Sequence, residues 1–150
     1  MEIERKFKVN AFPDLSSAEK FDISQWYISY SPEKRVRRSN GSYVVTEKSC
    51  GELVREEKEY PVEKSEAESL ISSCGRKPVE KTRYTFAVGK LKAELDIYKG
   101  ELSGLSVCEF EFDSVEEAKS ATLPEWLGKE LTDDKSFRNA SLSKKINGEA

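Results

Sequence analysis

Charged residues recur at every second position along run after run of this chain, and the positions between them are mostly apolar. A β-strand sends residues i, i+2 and i+4 to one face, so such runs describe strands with one ionised and one apolar side. Glu2, Glu4 and Lys6 share a face in EIERKFKV, with Ile3 and Phe7 opposite. Arg35 and Arg37 fall together in KRVRRS, and Thr46 and Lys48 fall together opposite Tyr43 and Val45. Arg55, Glu57 and Glu59 form the next set, and Lys81 and Arg83 lie opposite Tyr84 and Phe86. Glu94 and Asp96 alternate with Leu95 and Ile97, and Glu109 and Glu111 with Phe110 and Phe112.

One such pair is what any half-exposed antiparallel strand shows. Taken together the strands say more. The polar positions are nearly all ionised, and like charges recur at i, i+2, which costs stability unless something neutralises them. With helices packed on the apolar side, the charges would line the interior of a barrel. A dry interior holding these acids and bases would cost several kcal/mol per uncompensated ion, so the lumen is expected to be wet and to hold counter-ions. Carboxylate clusters suit hard divalent cations such as Mg2+ or Mn2+. Lysine and arginine clusters suit phosphoryl oxygens. A ligand carrying several phosphates together with metal satisfies both sets.

Turn and cap signals order the strands. Asn40-Gly41 between 34–39 and 42–49 is a strong hairpin signal. Strands are predicted at 2–9, 24–31, 53–61, 78–88, 90–99 and 105–113 as well. Residues 62–74 change period, placing Ala67, Leu70, Ile71 and Cys74 on one helical face, with Gly75 at the C-cap. Ser114 is placed to cap a helix over 115–121, with Glu117 in a capping box. A short amphipathic helix is expected near 137–146. The sum is about eight strands and two or three helices. It predicts an α+β fold with an eight-stranded antiparallel β-barrel, helices packed outside, in a single domain over 1–150.

Composition narrows the chemistry. The 150 residues hold 25 Lys+Arg against 28 Asp+Glu and no histidine. Near-balance argues against a generic nucleic-acid binder. The missing histidine excludes Ser-His-Asp and Cys-His nucleophile pairs and His-ligated zinc. Cys50, Cys74 and Cys108 are widely spaced with no CxxC pair, which argues against a disulfide framework or structural zinc. The opening MEIERKFKV has no apolar stretch suited to a signal sequence, and no later run has membrane-spanning length. A soluble, cytoplasmic protein without membrane or nucleic-acid partners is expected.

The motifs, in order along nearly the whole chain, resemble those of the CYTH proteins, or triphosphate tunnel metalloenzymes. They are ExExK at Glu2–Lys6, RxR at Arg35–Arg37, TxK at Thr46–Lys48, RxExE at Arg55–Glu59, KxR at Lys81–Arg83, ExD at Glu94–Asp96 and ExE at Glu109–Glu111. The tail WLGKELTDDKSFRN, residues 126–139, is similar to the family's closing segment, but has Ser136-Phe137 where Arg-Tyr is common. Tyr27 matches a tyrosine common on the family's second strand, where sheet packing is the alternative role.

The resemblance implies a tunnel that binds small triphosphate compounds with divalent metal, most similar to the short bacterial inorganic triphosphatases that cleave tripolyphosphate to pyrophosphate and phosphate. Lys6, Arg35, Arg37, Lys48, Arg55, Lys81 and Arg83 would hold the phosphates. Glu2, Glu4, Glu57, Glu59, Asp96, Glu109 and Glu111 would hold metal, Mg2+ or Mn2+, with two ions expected. Glu2, Glu4, Lys6, Glu57, Glu59, Lys81, Glu109 and Glu111 are expected to carry catalysis, with water activated by metal as nucleophile. The alternatives are a thiamine or nucleoside triphosphatase, an adenylate cyclase, or a non-catalytic module that binds polyphosphate or nucleotide.

Overall fold

In the computed structural model, residues 3–49 and 56–150 are described. They form two compact units, one from Met1–Phe21 and Lys81–Phe137, the other from Asp22–Glu80 and Arg138–Ala150. Among the described residues there are nine strands and three α-helices. None of these helices is long and apolar enough to cross a membrane.

The first unit holds β1 (Ile3–Val9), β6 (Val79–Val88, from Lys81), β7 (Leu91–Tyr98), β8 (Ser106–Phe112) and β9 (Leu127–Glu130), with α2 (Val115–Ser120). The strand order is β6-β7-β8-β1-β9. The alternating apolar residues form its core: Phe7, Ala93, Leu95, Cys108, Phe110 and Phe112 pack with Ala118 of α2. Helix α2 starts where Ser114 Oγ accepts a hydrogen bond from the Glu117 amide at 3.1 Å, as the cap signal predicts.

The second unit holds most of β2 (Glu19–Tyr30), with β3 (Glu33–Ser39), β4 (Ser42–Lys48), β5 (Glu57–Val62), α1 (Lys64–Cys74) and α3 (Asn139–Ile146). Its strand order is β5-β4-β3-β2. Asn40 and Gly41 have φ of 48° and 87°, as the primed hairpin turn requires, and Ser39 pairs with Ser42. Helix α1 lays Ala67, Leu70 and Ile71 on Trp26, Val36, Tyr43 and Val45. It ends at Gly75 in the left-handed region with φ of 65°. Helix α3 is tied to β2 by the Tyr30 hydroxyl, 2.8 Å from Ser143 Oγ. Beyond it, Glu149 pairs with Arg76 at 2.9 Å, and Arg76 also donates to the Tyr27 and Ile28 carbonyls at 3.1 and 3.0 Å.

Several element ends shift by a residue or two, α1 starting at Lys64 and β5 running to Val62 among them, and three further differences stand out. Strand β2 begins at Glu19, five residues before position 24, because Glu19-Lys20-Phe21-Asp22 is too exposed and polar to alternate visibly. Strand β9 was not expected, so the count is nine rather than eight. It has four residues, too few for a periodic signal, and exists through pairing with β1 across a register shift between Phe7 and Val9. The tail helix begins at Asn139, after a 3-10 turn over Lys135–Phe137. The predicted start of the strand at 53 lies outside the described residues.

Phe110 is fully buried at the centre of the first unit's core. Phe110→Ala should lower stability by about 3–5 kcal/mol in urea unfolding, from lost burial and the cavity left behind.

Candidate active site

Strand parity places the polar set of each unit on the face opposite its apolar core. In the first unit, Glu4 stands opposite Glu111 and Lys6 opposite Glu109 across β1 and β8. Glu94 stands opposite Glu109 across β7 and β8, and Arg83 opposite Asp96 across β6 and β7. Like charges directly opposite one another repel, so this face depends on the cations among them.

Those cations are ordered by short contacts. Arg83 Nε and Nη2 donate to the two oxygens of Asp96 at 2.8 and 3.0 Å, and Nη1 lies 2.8 Å from Glu94. Lys81 Nζ lies 2.8 Å from Asp96, with only 3% of its side chain exposed, and 5.4 Å from the Tyr98 ring centre. Burial alone would push the Asp96 carboxyl up, but the Lys81 and Arg83 charges outweigh it and hold the group below the usual carboxylate range. Burial pushes the Lys81 ammonium down, and Asp96 opposes that shift. Lys6 Nζ lies 3.3 Å from Glu109 and donates to the Phe137 carbonyl at 3.4 Å. The Phe137 ring sits 5.0 Å from Lys8 Nζ. The Ser136-Phe137 departure in the closing segment therefore falls beside two lysines of β1.

In the second unit, Tyr27, Arg35, Thr46 and Glu59 form one cross-strand row, and Lys48 stands opposite Glu57. Arg35 and Lys48 each approach Glu33 to 3.4 Å. Arg37 lies 3.9 Å from Glu59, an exposed pair that contributes little. Tyr27 is buried at 1% exposure, stacks on Tyr30 at 5.3 Å and accepts from Gln25 at 3.3 Å. Burial pushes its phenol up, and the Arg35 charge opposes this.

Of the sequence-derived site residues, Glu4, Lys6, Lys81, Arg83, Glu94, Asp96, Glu109 and Glu111 share the first unit's polar face. Arg35, Arg37, Lys48, Glu57 and Glu59 share that of the second. Glu57, Glu59 and Glu111 are exposed. Glu2 and Arg55 lie outside the described residues. Asp96 is engaged by two bases, so its contacts hold Lys81 and Arg83 in place. Among the described residues, no three acidic or thiol side chains converge into a preformed metal cage.

Sequence reading missed Glu33, although it shares the parity of Arg35 and Arg37, because the run was started at Lys34. It also missed Arg5, the fourth residue of ExExK. Arg5 turns to the apolar side, donating to Glu130 at 2.7 and 3.0 Å and to the Ala118 carbonyl at 2.8 Å. Cys108 is no nucleophile, since burial pushes its thiol up to about 12.

Antiparallel strands with an apolar face covered by a helix in each unit, and interleaved carboxylates and bases on the other face, define an α+β protein with an ionised sheet surface. Residues 1–145 match the family model of the CYTH domain, and the chain belongs to that family. It is 38% identical over 152 residues to an inorganic triphosphatase of Nitrosomonas europaea, covering 97% of this chain and 98% of that one. It is 34% identical to an inorganic triphosphatase of Acetivibrio thermocellus, covering 95% and 93%. The fold is that of a crystal structure of an inorganic triphosphatase, with a TM-score of 0.80 at 34% identity, covering 95% of this chain and 94% of that one.

Asp96→Asn leaves Lys81 and Arg83 facing a neutral amide and should cost about 3–5 kcal/mol in urea unfolding at neutral pH. The folded-state carboxyl titrates below its unfolded value, so its contribution is present above about pH 3.9 and is lost as pH falls through the folded value. Acid-unfolding curves of the variant should accordingly lose part of the wild-type drop in stability below about pH 4.

Proposed function

We propose that this protein hydrolyses inorganic triphosphate to pyrophosphate and phosphate with the help of divalent metal, Mg2+ or Mn2+, and two ions. The observation that carries the reading is the first unit's polar face. There, Glu4 opposite Glu111 and Glu94 opposite Glu109 alternate with Lys6, Lys81 and Arg83. The triphosphatase relatives support the same chemistry.

The donor set fits a hard divalent ion. It is all oxygen, and carboxylates stand in opposed pairs that a cation would relieve. Mg2+ is usually bound by one or two carboxylates together with substrate phosphates rather than by an all-protein cage. Glu4, Glu109 and Glu111 would hold it, with Glu2 preceding them on the chain, and Glu57 and Glu59 are the acids proposed for a second ion. When bound, the ion supplies neutralisation of phosphate charge and acidifies water.

This chain's own residues do the rest. Lys6, Lys81 and Arg83 bind phosphoryl oxygens and stabilise charge that builds on the leaving phosphate. Phosphoryl transfer depends mainly on positioning and electrostatics. Asp96 keeps Lys81 and Arg83 oriented. Arg35, Arg37, Lys48 and Arg55 are proposed as further phosphate-binding groups. No histidine is needed as general base when water is acidified in this way.

Purified protein incubated with tripolyphosphate, ATP or thiamine triphosphate and Mg2+ or Mn2+ should release phosphate and pyrophosphate fastest from tripolyphosphate. Cyclic AMP from ATP would point to cyclisation, and no product from any of the three would leave a binding module. Glu4→Ala should cut metal-dependent phosphate release by about a hundredfold or more while the circular dichroism spectrum stays wild type. Retained turnover would remove Glu4 from the metal site. Lys81→Ala should alter tripolyphosphate cleavage or KM, and an unchanged product profile with unchanged KM would count against its role.

A further inference from the structure

Glu33 has no place in the roles assigned above, yet it lies within the second unit's base set. Its Oε2 is buried from solvent and makes no hydrogen bond among the described residues. It is 3.4 Å from Arg35 Nη1 and 3.4 Å from Lys48 Nζ. Charge-assisted hydrogen bonds between such groups close to about 2.7–2.9 Å. The Arg83–Asp96 pair is tighter, with bonds of 2.8 and 3.0 Å to the two oxygens. Glu33 therefore balances two bases by charge at longer range than a closed charge-assisted hydrogen bond.

The placement is specific. Glu33 and Arg35 lie on one side of β3, and Lys48 reaches Glu33 from the end of β4, where it stands opposite Glu57 of β5. Arg35 and Glu33 side chains are about equally buried, at 21% and 20% exposure. A phosphoryl group has several charged oxygens and matches the fork of Arg and the point charge of Lys better than a single carboxylate oxygen held at long range.

We infer that Glu33 is an internal competitor for phosphate: its carboxylate occupies the Arg35–Lys48 pair when no ligand is bound, and a phosphoryl group of the substrate must displace it. This rests on the proposed triphosphatase reading. The carboxylate keeps the two cations from repelling each other in the empty protein. It also weakens the grip on every bound phosphate, so the pyrophosphate product leaves sooner. Glu33 is thus a positioning residue that sets affinity without touching the reacting atoms.

The test is calorimetric titration of pyrophosphate and of tripolyphosphate into dialysed, metal-free wild type, Glu33→Gln and Glu33→Asp. Glu33→Gln keeps the shape and removes the charge, and should bind both anions about tenfold more tightly. Glu33→Asp keeps the charge and should stay within about twofold of wild type. With Mg2+, Glu33→Gln should show a lower KM for tripolyphosphate and about tenfold stronger inhibition by pyrophosphate. Unchanged or weaker anion binding by a folded Glu33→Gln would show a mere brace for the two bases and overturn the inference. Loss of Mg2+-dependent turnover with unaltered metal-free anion affinity would show a metal ligand instead, and overturn it too. Wild type that binds pyrophosphate and tripolyphosphate while Glu33→Gln gains nothing sinks only this inference. Wild type that binds neither sinks the triphosphatase reading with it.

Discussion

A buried ammonium group cannot stay charged without a counter-charge, and Lys81 has one in Asp96 at 2.8 Å. Asp96 in turn holds Arg83 through two hydrogen bonds, and Arg83 reaches Glu94. This chain of opposite charges lets β6 and β7 keep an ionised face at all. Without it, the strands would have to give up either their apolar core or their charges. The cluster is costly to break because removing one member strands the others in a poorly solvated place.

Each unit solves the same problem with different degrees of tightness. In the first, Lys81 and Arg83 are clamped by short contacts to carboxylates. In the second, Arg35 and Lys48 are balanced by Glu33 at longer range, and Arg37 faces Glu59 across an exposed gap. A tight clamp fixes direction, whereas a loose one leaves donors available to another anion. That difference leaves Lys81 and Arg83 fixed in direction and Arg35 and Lys48 held more loosely. On the first unit's face, the opposed acid pairs Glu4–Glu111 and Glu94–Glu109 add like-charge repulsion that calls for further positive charge.

Much of the site was legible because strand parity is a property of the backbone. Glu94 and Asp96, or Arg35 and Arg37, must share a face once their segment is a strand, and Asn40-Gly41 must turn where φ is positive. The pairing partners were not legible. Nothing local says that Lys81 meets Asp96, because that contact depends on the register of β6 against β7. Strand β9 was invisible for a related reason, since four residues carry no period and only β1 makes them a strand. Arg5 follows the apolar parity of Ile3 and Phe7, and its use there depends on Glu130 and the end of α2, both far along the chain.

The sequence by itself determined which residues are ionised, which side of each strand they take, and that histidine chemistry is absent. It determined these through composition and the two-residue repeat, both local. Tertiary structure alone decided which charge answers which. It made Asp96 a support for two bases, brought the Phe137 carbonyl to Lys6, and set Glu33 between Arg35 and Lys48. Charge pairing depends on distances of a few ångströms between segments remote in the chain, and those distances exist only once the strands are in register.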